Sequence, residues 1–136
     1  MSYQGPLVDR IAIRELIETY ADAVARRDAE AWAATWSEDA IWDLMGHLVE
    51  GRAAIVAAWR AAMSGFEFVG FHANPGAIEV AGAQAAARVY VRETLVPAGG
   101  GLRRIEGEYR DDLLKTPAGW RFSRRAYRIL HEETRI

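Results

Sequence analysis

The hydrophobic pattern predicts helices in the first half of the chain and strands in the second half. Residues 13–24 carry apolar side chains at a three-then-four spacing, which is typical of a helix with one buried face. This helix is expected to start near Val8 or Asp9, after an irregular lead-in over residues 1–7. Asp28 is suited to cap a second short helix, because its carboxylate can accept a backbone N–H in the first turn. A single apolar stripe predicts a third helix over residues 52–63.

Alternation of apolar and polar residues predicts the strands. Val89 and Val91 fall on one face of their strand, opposite Arg88 and Tyr90. Three consecutive glycines at 99–101 are typical of a hairpin tip. Three helices followed by about four long antiparallel strands indicate an α+β layout, with a strongly curved sheet folded around the helices. A turn is predicted at 37–39, and a turn or bulge is predicted at 74–76. Strands are predicted at 41–45, 66–72, 77–80, 85–96, 102–114 and 120–131, with a possible short strand at 47–49.

Length and charge narrow the class of protein. The 136 residues fit one domain, expected to span 1–136. Seventeen basic and nineteen acidic residues are interspersed and give a net charge of −2, which does not favour a nucleic acid or a membrane as partner. There is no cysteine, and the first residues lack the apolar core of a signal peptide, so a cytoplasmic protein is expected. No phosphate-binding loop or metal-ligand spacing is present, and no cofactor or metal is expected.

Three residues before the predicted turn or bulge at 74–76 are candidates for chemistry. His72 follows a strand of aromatic residues and precedes a turn, so it could lie at a pocket wall and accept a proton near neutral pH. A histidine satisfied in the core or exposed at a strand end is the alternative. Tyr20 lies on the buried helix face, where its hydroxyl could serve a ligand or a backbone carbonyl. Asp22 falls beside the apolar stripe, which favours a solvated position.

The later strands supply a second group of candidates. Tyr109 and Asp111 are expected on one face of their strand, with Arg110 and Asp112 on the other. A buried arginine requires a carboxylate partner, so Arg125 with Asp111 is a predicted structural ion pair. Most other strand arginines are expected on a solvated or interface-facing sheet surface.

These features together resemble the SnoaL-like branch of the NTF2-like superfamily, whose members are cone-shaped α+β barrels. The resemblance extends over nearly the whole chain and is specific for the fold rather than for one activity. The residues that carry it are Ile13-Arg14-Glu15-Leu16, Tyr20, Asp28, Trp32, the run from Ser37 to Asp43, Gly51-Arg52, Ile55, Phe71-His72-Ala73-Asn74, Gly107-Glu108-Tyr109-Arg110-Asp111, Gly119-Trp120-Arg121-Phe122 and Arg125.

Two groups of relatives suggest roles for individual residues. By resemblance to scytalone dehydratase and hexachlorocyclohexane dehydrochlorinase, His72 corresponds to the catalytic base, and Arg125 and Trp42 line the pocket. The aspartate that orients such a histidine has its counterpart at Ala25, and Asp22, one turn away, is the candidate replacement.

Resemblance to ketosteroid isomerase concerns a different pair of positions. It makes Tyr20 the oxyanion-binding tyrosine. The position of the base aspartate in that enzyme is Leu44 here, and the adjacent Asp43 is expected to point to the opposite face of the strand.

The first functional hypothesis is a cofactor-independent lyase or isomerase acting on a small hydrophobic, cyclic substrate. His72 would abstract a proton, and Tyr20 or Tyr109 would stabilise the oxyanion. The alternatives are a non-catalytic small-molecule-binding protein and a structural small subunit resembling that of an aromatic-ring dioxygenase. The resemblance also implies a homo-oligomer, a dimer or a trimer. The predicted site residues are His72, Tyr20 and Asp22 for catalysis and Trp42, Tyr109, Asp111 and Arg125 for substrate binding.

Overall fold

Three helices pack against one seven-stranded sheet in the computed structural model, which describes residues 1–136. The sheet is mostly antiparallel and curves around the helices, so the predicted α+β class is confirmed. The helices are α1 (Leu7–Arg26), α2 (Ala29–Ala33) and α3 (Arg52–Met63). The strands are β1 (Tyr3–Gln4), β2 (Trp36–Leu44), β3 (His47–Glu50), β4 (Phe66–Ala81), β5 (Gln84–Pro97), β6 (Leu102–Thr116) and β7 (Gly119–Arg135).

The helices form where the sequence pattern places them. The Asp28 side chain accepts a hydrogen bond from the Ala31 backbone N–H, which confirms the predicted cap of α2. Between α1 and α2, Arg27 adopts a left-handed backbone with φ of 54°. Its guanidinium donates to the carbonyls of Met63 and Phe66 at 3.3 and 2.7 Å, which ties the end of α1 to the end of α3. None of the three helices combines the length and the apolar character that a membrane-spanning helix requires.

Strands β4 to β7 form a continuous antiparallel meander, and β2 joins the meander by pairing parallel to β7. The predicted turn or bulge near Pro75 is a bulge inside a continuous β4. Two other details of the prediction are wrong. Tyr3–Gln4 is a strand paired with β4, and the turn predicted at 37–39 lies within β2, where a register shift against β7 accommodates its polar residues.

The centre of the core is a cation enclosed by aromatic rings. Arg125 on β7 and Asp111 on β6 are register partners, and the predicted ion pair is confirmed by two hydrogen bonds of 2.8 and 3.1 Å. Both residues are almost completely buried. The guanidinium carbon of Arg125 lies 4.4, 3.9 and 4.1 Å from the ring centres of Tyr20, Tyr109 and Phe122. A register shift on β7 after Phe122 brings Arg125 to the same inner face.

Breaking this pair is expected to destabilise the fold strongly. Replacing Asp111 with Ala leaves a buried guanidinium without its counter-ion, which typically costs about 3–5 kcal/mol of unfolding free energy. Chemical denaturation followed by tryptophan fluorescence measures the loss. The paired change Asp111→Leu with Arg125→Met should recover much of the lost stability, because no uncompensated charge remains. Glu106→Ala, which removes an exposed ion pair with Arg92, is the control and should leave the denaturation midpoint nearly unchanged. An equal loss of stability in Asp111→Ala and Glu106→Ala would contradict the interpretation.

Candidate functional site

An apolar cavity of about 290 Å³ lies between the inner face of the sheet and helices α1 and α3. Fifteen of its seventeen lining residues are hydrophobic or aromatic. Its volume is at the lower end for small-molecule sites, so it suits a molecule of one or two rings. Trp42, Trp59 and Phe71 present aromatic surfaces to the cavity, and its two charged residues are Glu93 and Arg103.

Two phenol hydroxyls from different elements meet in this cavity. Tyr20 of α1 and Tyr109 of β6 have hydroxyl oxygens 3.5 Å apart, and the indole N–H of Trp42 donates to the Tyr109 oxygen at 3.3 Å. Burial raises the pKa of Tyr20 and raises the pKa of Tyr109 well above the usual value, so both remain neutral donors. The mutual contact uses one of the two hydroxyl hydrogens. The second hydrogen has no acceptor within the protein and is free for a ligand.

A second polar group of the cavity joins strands β5 and β7. The Tyr127 hydroxyl donates to Oε2 of Glu93 at 2.5 Å. Burial raises the pKa of the Glu93 carboxyl, and the hydrogen bond from Tyr127 acts in the opposite direction. Burial is the main cause that raises the pKa of the Tyr127 phenol, and the nearby charge of Glu93 raises it further. Arg103 lies beside them but is already bound to Glu132 through two hydrogen bonds of 3.1 and 3.2 Å.

Sequence reasoning missed Glu93 and Tyr127. A signal was present, because Glu93 continues the inward-facing series of Val89 and Val91 on β5 and interrupts it with a carboxylate. The role of Tyr127 could not be inferred from its strand alone, since its partner lies 34 residues away. No group of three or more His, Asp or Glu side chains has a geometry suited to a metal ion.

The residues predicted from the sequence divide into three groups in the structure. Tyr20, Trp42 and Tyr109 line the cavity together. Asp111 and Arg125 do not line it, because they lie behind the tyrosine rings as the buried ion pair. The expectation that both contact the substrate is therefore corrected to a supporting position.

His72 and Asp22 form the third group and lie outside the cavity. Val69 and Phe71 of β4 are buried, so the alternation of the strand turns His72 to the exposed side. The expectation that His72 lies at the wall of the enclosed pocket is wrong, and Phe71 takes that place. His72 and Asp22 instead share a surface groove of about 420 Å³ between α1 and β4, and Asp22 pairs with Arg26 at 2.9 Å.

Solved structures with the same architecture come from Novosphingobium aromaticivorans. A protein provisionally named an aromatic ring hydroxylase is 27% identical, with a TM-score of 0.89 over 96% of each chain. An NTF2-like protein with a cystatin-like fold is 33% identical, with a TM-score of 0.77 over 91% of this chain and 83% of the other. A protein provisionally named scytalone dehydratase is 23% identical, with a TM-score of 0.86 over 93% and 87% of the two chains, and this likeness concerns the fold alone.

The sequence itself matches one family model. Residues 6–126 match the model of the SnoaL-like domain, which includes the helices, β2 to β6 and the part of β7 that carries Arg125. None of the curated proteins matches the chain. Because the family model covers most of the sequence and the solved structures share the complete fold, the chain belongs to the SnoaL-like domain family.

Proposed function

We propose that the chain is a cofactor-independent lyase or isomerase that acts on a small, largely apolar cyclic molecule with a carbonyl-type oxygen. One observation carries the proposal: two neutral phenols project into an apolar cavity, and one hydroxyl hydrogen has no acceptor in the protein. An oxygen acceptor on the bound molecule would satisfy that donor, since a polar group shielded from water is costly when unpaired.

The phenol pair would act by stabilising negative charge. When a proton leaves a carbon next to a carbonyl group, charge develops on the carbonyl oxygen. A donor placed in advance at that oxygen binds the charged state more strongly than the neutral ground state. Tyr20 and Tyr109 are suited to this task because their rings contact the buried Arg125 and are held in place by it.

The fold of the family is compatible with this class of reaction. The family fold is shared with a protein provisionally named scytalone dehydratase, and dehydratases are lyases. The cavity supplies features that such a reaction needs: an apolar lining, neutral hydrogen-bond donors and a carboxyl group.

A second candidate function is the structural small subunit that the family resemblance also suggests, and one relative, 27% identical, is provisionally named an aromatic ring hydroxylase. On this alternative the chain is a structural small subunit, and the cavity takes no part in chemistry. Affinity purification of the tagged chain from its own cells should then recover a larger, iron-containing protein in constant stoichiometry. Recovery of the chain alone would count against the subunit role.

Ligand binding tests the role of the phenol pair. β-Tetralone and its oxygen-free analogue tetralin have the same ring skeleton, and quenching of tryptophan fluorescence reports their entry because Trp42 and Trp59 line the cavity. We expect the ketone to bind more tightly than the hydrocarbon by about three- to tenfold, the worth of one net hydrogen bond. The double variant Tyr20→Phe with Tyr109→Phe should remove this preference.

The matched control is Tyr90→Phe, because Tyr90 is an exposed tyrosine on the opposite face of the sheet. It should retain the preference for the ketone. The ratio of the two affinities is compared within each variant, so that a general loss of stability does not affect the result. A preference that survives in the double variant would refute the assignment of the phenols.

The position of His72 generates a separate prediction. Because its side chain is exposed and Phe71 occupies the cavity wall, His72→Ala should leave both the affinity for β-tetralone and any proton exchange of the bound ketone unchanged. Solvent exchange of the ketone is measured by proton NMR in D₂O. Loss of exchange in this variant, with binding intact, would restore His72 as the base.

A further inference from the structure

The cavity contains one carboxylate, and its position is set by three strands. Glu93 lies on the inner face of β5 between Val91 and Leu95, both of which are buried. Its carboxyl lines the apolar cavity and accepts the Tyr127 hydroxyl hydrogen at 2.5 Å. Each carboxylate oxygen can accept more than one hydrogen bond, so the group retains free lone pairs for a proton from a ligand.

Tyr127 reaches Glu93 only because β6 carries a glycine beneath its ring. A Cβ atom added at Gly107 would lie 2.7 Å from Cε1 and 2.8 Å from the hydroxyl oxygen of Tyr127. A side chain at this position would therefore displace the hydroxyl. A register shift between Glu106 and Gly107 accompanies this close approach. Gly107 is required here for space rather than for an unusual backbone angle.

No cation forms an ion pair with Glu93, although the charge of Arg103 acts on it from nearby. Tyr127 and Glu132 approach from β7 and Arg103 approaches from β6. The guanidinium of Arg103 is bound to Glu132. The residues that α3, β2 and β4 contribute to the cavity wall are not titratable, and α1 and β6 contribute the neutral phenols of Tyr20 and Tyr109. A carboxylate in this position is available for proton transfer rather than being neutralised by an ion pair.

We propose that Glu93 is the general base of the cavity, and that Tyr127 and Gly107 are positioning residues that hold its carboxylate toward the bound molecule. The inference rests on the function proposed above and adds the group that takes the proton. Burial, which raises the pKa of Glu93 above that of an exposed carboxyl, makes it a stronger base than a surface glutamate.

The reaction step is a simple proton transfer. A C–H bond next to the carbonyl group of the ligand breaks, its hydrogen forms an O–H bond with Glu93, and the electron pair moves into the enolate. The enolate oxygen accepts a hydrogen bond from the free hydroxyl of the Tyr20–Tyr109 pair. Return of the proton to a different carbon completes an isomerisation, whereas loss of a leaving group from the neighbouring carbon with its electron pair completes an elimination. Neither route requires an oxidant or a metal ion to balance.

Exchange of β-tetralone hydrogens with D₂O tests the base directly. The wild-type protein should accelerate exchange beyond the buffer rate, and Glu93→Gln should reduce this acceleration by about 10²–10⁴-fold, the usual contribution of general-base catalysis. Fluorescence quenching should show that the variant still binds the ketone. Glu106→Gln is the matched control, because Glu106 is an exposed glutamate on the outer face of β6. An exchange rate in Glu93→Gln equal to that of the wild-type protein would overturn the inference.

The pH dependence of exchange tests the positioning residues. A base acts in its ionised form, so the exchange rate should rise with pH and level off above the pKa of Glu93. The hydrogen bond from Tyr127 lowers that pKa, and therefore Tyr127→Phe should move the rise to higher pH. Gly107→Ala should move it in the same direction, because the added methyl group displaces the Tyr127 hydroxyl.

A merely structural role would lower thermal stability without moving the pH profile, and that result would overturn the assignment of Tyr127 and Gly107. The carboxyl pKa can also be followed without a ligand, by NMR of protein labelled with ¹³C at the glutamate carboxyl carbon. Binding of the ketone without accelerated exchange in the wild-type protein would refute Glu93 as base and leave the binding role of the phenols intact. Absence of binding would refute the proposed function and the base with it.

Discussion

The structure depends on one buried cation and its counter-ion. Arg125 and Asp111 are removed from water at the centre of the fold, where an unpaired charge would be very costly. Two hydrogen bonds neutralise the guanidinium, and three aromatic rings pack against it. Each ring–cation contact is worth about 0.5–2 kcal/mol, and together they restrict where the rings of Tyr20 and Tyr109 can lie. The ion pair is thus the frame on which the hydroxyls of the cavity are arranged, although it does not line the cavity itself.

The two polar groups of the cavity are supported in different ways. The phenol pair rests on the aromatic core, in which Tyr20 contacts Trp32, Trp36, Phe71 and Phe122 at ring-centre distances of 5.5–6.1 Å. The carboxyl of Glu93 is instead held by a single hydrogen bond from Tyr127, whose ring occupies the space above Gly107. The cavity thus contains a neutral donor and a carboxyl whose protonation state can change, and these are the groups that proton transfer requires.

The position of His72 illustrates why the resemblance to the family predicts the fold better than the site. A histidine after an aromatic strand matched the family pattern, yet adjacent residues of a strand point to opposite faces. Phe71 faces the cavity, and its neighbour His72 therefore faces solvent. A motif can still be recognised when it is displaced by one residue, whereas the same displacement in a strand turns the side chain to the opposite face. The proposed base, Glu93, lies on another strand.

The sequence alone determined the parts of this protein that depend on local periodicity. The apolar stripes place α1 and α3, Asp28 marks the start of α2, and the alternation on β6 sets Tyr109 and Asp111 on one face. Only the tertiary structure decided what depends on pairing between distant strands: which face is enclosed, how the register shift on β7 turns Arg125 inward, and that Tyr127 meets Glu93. The physical reason is that periodicity specifies the relative direction of neighbouring side chains, whereas long-range backbone pairing and close packing specify which of those directions leads into the cavity.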